Sequence, residues 1–196
     1  MHERLAQQIA FLVEADKLKS VIRRTPLVDV SRLENSAEHS WHLVLVIMVL
    51  REYGQPGVDW MRVMEMVAVH DLVEIDAGDV SAYDVDALAA KLVREQAAAD
   101  RIFGLLPADQ QEHFRQLWEE FEAQATPEAR FANAVDRLQP LIQNAHSGGG
   151  SWCGQTLVRA QILRRMAPIE TSLPDVWPHV LDVVESFCAA GVLKRD

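Results

Sequence analysis

Val69-His70-Asp71-Leu72-Val73-Glu74-Ile75-Asp76-Ala77-Gly78-Asp79 is the stretch whose reading decides the fold. It closes a segment, beginning near Asp59, that is apolar on nearly every side: Trp60, Val63, Met64, Met66, Val67, Val69, Leu72, Val73 and Ile75. A helix apolar all round is a buried helix. Yet this one carries adjacent His70 and Asp71, and Glu74 follows the histidine by one turn. At about 100° per helical residue, Glu74 returns to within about 40° of His70. Ionised carboxylates in a protein interior are paired or bound to metal, because burying one alone is costly. The stretch therefore predicts a cation beside a buried helix.

Working outward, the rest of the chain also reads as helix. Leu5, Ile9, Leu12, Val13, Leu18 and Ile22 recur near a 3.6 period, predicting a first helix over about residues 2–22 that ends at Arg23-Arg24-Thr25-Pro26. Asn35-Ser36-Ala37-Glu38 has the form of a capping box and opens a helix to about Tyr53, with His39 in its first turn. Asp59 is placed to cap the buried helix. Beyond Gly78 the chain is expected to leave helix through Ser81 to Asp84 and to resume it near Asp86, ending at Phe103-Gly104. Further helices are expected from about Pro107 to Gln124, from Thr126-Pro127 through Ile142, from Thr156 to Met166 and from Pro174 to Ala190. There is no internal repeat and no linker. The expectation is one all-α domain over residues 1–196, of seven or eight helices.

Composition narrows the function. The chain has 196 residues and a formal charge of −10, with no long basic tract, so binding to DNA or RNA duplexes is not expected. A few arginines can still reverse the field inside one cleft for a small anionic substrate. Cys153 and Cys188 fit no disulfide framework or zinc ribbon. The longest clean apolar run, from Leu43 to Leu50, is too short to cross a bilayer, and the first residues are amphipathic rather than signal-like. A soluble cytoplasmic protein is expected.

Of seven histidines, His2, His113 and His179 sit among polar or terminal residues, and His146 ends a helix, where a cation suits the dipole. His39, His42 and His70 lie on the helices with the main apolar runs. His39 and His42 are three apart and share a helix side. His39 is the better ligand candidate because a cleft forms most easily at a helix end, while packing or a supporting hydrogen bond accounts for His42. Asn133, Asp136, Gln139 and Gln143 form a polar stripe opposite Phe131, Val135, Leu138 and Ile142. A solvated face is the simplest account of it. Pro140 counts against that account, because it removes the hydrogen bond to the carbonyl of Asp136 and marks an irregularity at a carboxylate.

The ordered set His39, then His70-Asp71, then Asp136 resembles the metal-binding signature of the HD-domain phosphohydrolase superfamily. The flanks Glu34-Asn35-Ser36-Ala37-Glu38-His39-Ser40 and His70 to Asp79, with residues 131–144 and the glycine-rich loop, resemble the branch of bacterial 5′-deoxynucleotidases and their eukaryotic relatives. The resemblance implies a helical bundle around one divalent ion, Mn²⁺, Co²⁺, Fe²⁺ or Zn²⁺, held by His39, His70, Asp71 and Asp136. It further implies that Glu74 and Asp79 handle protons, that Arg24 holds the substrate phosphate, and that the protein is a homodimer hydrolysing nucleoside 5′-monophosphates. One position departs from the pattern. Thr25 stands where bacterial members carry an aromatic residue that helps select deoxyribose, which leaves 2′-deoxy selectivity open.

Two other classes compete with this reading. A di-iron oxygenase of HD type needs further histidines between His70-Asp71 and Asp136, and only His113 lies there. A non-catalytic helical module with a structural ion has no use for Glu74 and Asp79.

Overall fold

The computed structural model describes residues 2–79 and 85–195. Among them are eight helices of ten residues or more: α1 (His2–Ala15), α2 (Ser36–Leu50), α3 (Trp60–Val69), α5 (Val85–Phe103), α6 (Ala108–Ala123), α7 (Pro127–His146), α8 (Arg159–Ser172) and α9 (Trp177–Ala189). One further turn, α4 (Glu74–Ala77), follows the His70-Asp71 pair. The all-α expectation holds. The expected loop over residues 81–84 lies outside the described residues.

Local sequence explains the starts of the helices around the site. Asn35 and Glu38 form the reciprocal capping box at α2, the Asn35 side chain accepting from the Glu38 amide at 2.9 Å. Asp59 caps α3 through the amides of Met61 and Arg62. Thr126 caps α7, with Pro127 in its first turn.

Two expectations are corrected. The first helix stops at Ala15. A 3₁₀ turn (Asp16–Ser20) leads into strand β1 (Ile22–Pro26), which pairs antiparallel with β2 (Leu33–Asn35), Ile22 opposite Asn35 and Pro26 opposite Leu33. Arg23 and Arg24 thus sit in a bulged hairpin rather than at a helix end. In a strand successive side chains turn to opposite faces. Here Arg23 is half-buried and Arg24 exposed. The second correction concerns the buried helix. Val63, Met66 and Val67 of α3 have no exposed surface, but Met61 is 62 % exposed, so α3 has a wet face.

The enclosed helix is α7. It packs against α2, α3, α6 and α8, and its polar stripe is inside: Asn133, Gln139 and Gln143 are all buried. A solvated face does not describe it.

Candidate metal centre

The chain around His70 does not continue as an α-helix. His70–Val73 is a 3₁₀ turn between α3 and α4. Residues three apart nearly eclipse in such a turn. Asp71 is thereby brought over Glu74, rather than His70 over Glu74 as an unbroken α-helix predicts. Gly78, at φ +74°, turns the chain out of α4 and leads to Asp79.

His39, from the first turn of α2, His70, and Asp136, from the middle of α7, converge, with one ligand atom of each within 4.8 Å of the others. His39 Nε2 lies 3.0 Å from Asp136 Oδ1. His70 Nε2 lies 3.0 Å from Asp71 Oδ1 and 3.8 Å from Asp136 Oδ1. Phe121 packs on the His70 ring, centroids 4.8 Å apart. His70, Asp71 and Asp136 open onto a cavity of about 220 Å³ whose wall includes Glu74, Asp79 and Arg23.

Hydrogen bonds fix which ring nitrogens face inward. His70 Nδ1 is 2.9 Å from the Val67 carbonyl, which can only accept, so this nitrogen carries the proton. His70 Nε2 is then turned to the cavity, buried and without a hydrogen bond of good geometry. His39 Nδ1 is 2.9 Å from Gln139 Oε1, and the Gln139 amide nitrogen is committed to Glu34 Oε1 at 2.9 Å. That leaves His39 Nε2 facing a carboxylate oxygen. At 3.0 Å a proton in the metal-free protein, or a bound metal ion, lies between this nitrogen and the carboxylate. The donor set therefore fits a divalent ion.

The electrostatics of the metal-free protein agree. Burial pushes the His70 pKa down, but the Asp71 and Asp136 carboxylates outweigh it and hold it at about 9. Burial would raise Asp136, yet the neighbouring His39 and His70 imidazoles and the Arg137 charge hold it well below the usual carboxylate range. Glu74 moves the other way, upward, through its own burial and then the charge of Asp71. The Ser36 hydroxyl donates to Glu74 Oε2 at 2.8 Å.

Residues 15–177 match the family model described as HD domain. The chain belongs to the HD-domain family. Among curated HD-type relatives, 5′-deoxynucleotidase HDDC2 of Danio rerio is 30 % identical over 132 residues, covering 65 % of this chain and 64 % of the relative. The human HDDC2 protein is 28 % identical, covering 67 % of this chain and 66 % of the relative. The matches thus span slightly under two thirds of each relative's length. A crystal structure described as a predicted metal-dependent phosphohydrolase from Magnetospirillum magnetotacticum superposes with a TM-score of 0.91 at 43 % identity, covering 97 % of this chain and 98 % of that one. An HD-domain phosphohydrolase from Listeria innocua shares the fold, with a TM-score of 0.64 at 15 % identity over 93 % of this chain and 94 % of the other.

Within this HD-domain site, all four residues expected to hold metal lie together, and Glu74 and Asp79 line the same cavity. Arg24 does not reach it. Arg23 does, donating from Nη1 to Asp71 Oδ2 at 2.8 Å. Burial disfavours the Arg23 charge, but Asp71, Glu74, Asp136 and Asp79 more than offset it. Arg24 is exposed on the wall of an adjoining cleft. Thr25, the departing position, is buried and lines that same cleft.

Sequence reasoning missed a polar network behind the centre. Glu34, only 1 % exposed, accepts at Oε1 from both Gln139 (2.9 Å) and Gln143 (2.8 Å). Its Oε2 lies 3.6 Å from both Arg23 Nε and His39 Nδ1. Gln139 Nε2 is also 3.0 Å from His42 Nδ1, so His42 supports the network from behind. The sequence signal was present in the stripe of Gln139 and Gln143, but its partners lie about a hundred residues away.

Proposed function

We propose that this chain is a divalent-metal-dependent phosphoric monoester hydrolase, a 5′-nucleotidase acting on nucleoside or deoxynucleoside 5′-monophosphates. The observation that carries it is the convergence of His39, His70 and Asp136, with Asp71 alongside, on a cavity that also holds a buried carboxyl group. The names of the HDDC2 relatives support the substrate, and the name of the Magnetospirillum structure supports the metal.

In this reading His39, His70, Asp71 and Asp136 hold the ion, and two imidazoles with two carboxylates suit Mn²⁺, Co²⁺, Fe²⁺ or Zn²⁺. Such an ion, when bound, lowers the pKa of a coordinated water and withdraws charge from a phosphoryl oxygen. The chain supplies the rest. Arg23, held by Asp71, presents a guanidinium to the phosphate. Glu74, kept within reach by Ser36, orients the attacking water and takes its proton. Asp79, beyond the Gly78 turn, delivers a proton to the departing ester oxygen. Arg24 meets the substrate further out, from the adjoining cleft.

Residues 1–196 act as one HD-type domain in the cytoplasm, a location that two cysteines outside any disulfide suit. No helix among the described residues is long and apolar enough to cross a membrane. The unit is a homodimer. Trp41, Leu45, Met48 and Val49, 38–67 % exposed, recur at helical spacing on α2 and offer a face for it.

The test is phosphate release from a panel of nucleotides by protein loaded with Mn²⁺ or Co²⁺. Activity is expected on 5′-monophosphates and is expected to vanish in Asp71→Ala. Undiminished activity in that variant would overturn the proposal, and tight nucleotide binding without turnover under every divalent ion would favour a binding module instead.

A further inference from the structure

The two carboxylates of the metal centre are built alike. Asp71 turns Oδ1 toward His70 Nε2 at 3.0 Å and accepts at Oδ2 from Arg23 Nη1 at 2.8 Å. Asp136 turns Oδ1 toward His39 Nε2 at 3.0 Å and accepts at Oδ2 from Arg137 Nη1 at 2.5 Å. In each case one oxygen serves the ion site and the other fixes a guanidinium beside it. The arginines come from different elements, Arg23 from β1 and Arg137 from α7, and their side chains are about equally enclosed, 13 % and 17 % exposed. Both line the inner cavity and both line the cleft that adjoins it, so they stand where the two spaces meet.

Support of the metal ligand does not account for Arg137. A guanidinium on a ligand carboxylate draws on the charge that the ion needs, and its own charge repels the ion. As a support for Asp136 alone it works against metal binding. The pairing does not use the group up, either. Nη1 meets Asp136, Nη2 comes no closer to Asn133 Oδ1 than 3.4 Å, and a guanidinium has more N–H donors than these two acceptors take. A planar fork fixed at one end by a carboxylate is oriented to receive an oxyanion with the rest. Arg23 is fixed in the same way, and it is the arginine that the proposed reaction already brings to the phosphate.

We propose that Arg137 is a second phosphate-holding residue, and that the phosphoryl group of the substrate is gripped between its guanidinium and that of Arg23. The inference rests on the phosphohydrolase reading and adds to its phosphate site a residue from the helix that also supplies Asp136.

Calorimetry with inorganic phosphate, the product common to every ester, reads this grip apart from turnover. Wild type, Arg137→Gln and Arg137→Lys are compared as Mn²⁺-loaded proteins, and titration of each metal-free protein with Mn²⁺ gives a second readout. Loss of a charge-assisted hydrogen bond is expected to weaken phosphate binding by about 10–100-fold in Arg137→Gln. Arg137→Lys keeps the charge without the fork and is expected to fall between; this milder change decides the matter if the glutamine variant does not fold. Mn²⁺ is expected to bind Arg137→Gln at least as tightly as the wild type. Unchanged phosphate affinity, a parallel loss of Mn²⁺ and phosphate affinity, or a wild type that binds no phosphate would overturn the grip. Phosphate release from nucleoside 5′-monophosphates is followed alongside. A wild type that hydrolyses them while Arg137→Gln keeps its phosphate affinity refutes the grip and leaves the hydrolase reading standing. Phosphate held through Arg137 with no ester hydrolysed refutes the hydrolase reading and leaves the grip.

Discussion

Gln139→Leu separates the network behind the metal centre from the centre itself. Leucine is close to glutamine in volume, so the change opens little space. Gln139 has no exposed surface, and its amide joins His39 Nδ1 to Glu34 Oε1, each at 2.9 Å. The substitution removes the hydrogen-bond partner of the His39 N–H, whose next acceptor is Glu34 Oε2 at 3.6 Å, whereas Glu34 Oε1 keeps Gln143 at 2.8 Å. One fully unsatisfied buried donor costs about 1–3 kcal/mol, and the partial loss at Glu34 brings the expected destabilisation to about 2–4 kcal/mol. The Gln139 carbonyl then no longer favours the His39 tautomer that presents Nε2 to Asp136. Loss of such an orienting partner weakens metal binding about 10–100-fold. Urea denaturation of the metal-free protein followed by tryptophan fluorescence reads the first effect, and calorimetric titration with Mn²⁺ reads the second. A folded Gln139→Leu protein that binds Mn²⁺ as tightly as the wild type would refute the reasoning, because the histidine would then need no orienting partner.

Three further outcomes follow from the structure. His70 is raised from 6.5 to about 9 in the metal-free protein, so its stabilising contribution is complete below its unfolded value and is lost as pH rises through about 9; Glu74, raised above 4.5, loses its contribution in the same direction. Chemical denaturation of metal-free protein between about pH 6 and pH 10 should therefore show falling stability, while Mn²⁺ affinity should rise over that range because the ion displaces the His70 proton. Gly78→Ala places a side chain at φ +74°, ψ 156°, a region adopted almost only by glycine, with nothing within 4 Å of the new Cβ, so backbone strain of about 1–3 kcal/mol is the expected cost, and phosphate release should fall more than melting temperature because Asp79 is displaced. Trp41→Glu introduces a charge on the exposed apolar face of α2 and should convert a dimer to monomers in light scattering without loss of helical signal; an unchanged mass would move the interface elsewhere.

Features encoded within a few residues were legible in the sequence. The Asn35–Glu38 box, the Asp59 cap and the Thr126-Pro127 start each act over one helical turn, and each stands where expected. The strand at Arg23 was hidden because it depends on pairing with residues a dozen positions away and has no alternating pattern of its own. The 3₁₀ turn at His70 was hidden too, since its composition is as apolar as the helix it interrupts. The stripe of α7 was misjudged for a different reason. A polar face looks the same in sequence whether it meets water or a distant buried carboxylate, and Glu34 is 105 residues from Gln139. Arg23 and Arg24 are neighbours of identical chemistry, and only the strand geometry turns one inward and the other toward the rim.

The hairpin that carries Arg23 is fastened at both legs: Arg23 to Asp71 of the 3₁₀ turn, and Glu34 to Gln139 and Gln143 of α7. Its tip is not, for Val28, Asp29 and Val30 are exposed. The hairpin therefore works as a bracket whose base is fixed and whose far end can be rewritten. Residues 28–31 can change in composition, as a graft or in divergence between relatives, at little cost to the ion-holding groups, whereas Arg32 is tied to Glu38 at the start of α2. The tip is thereby free to drift while the inner chemistry stays put.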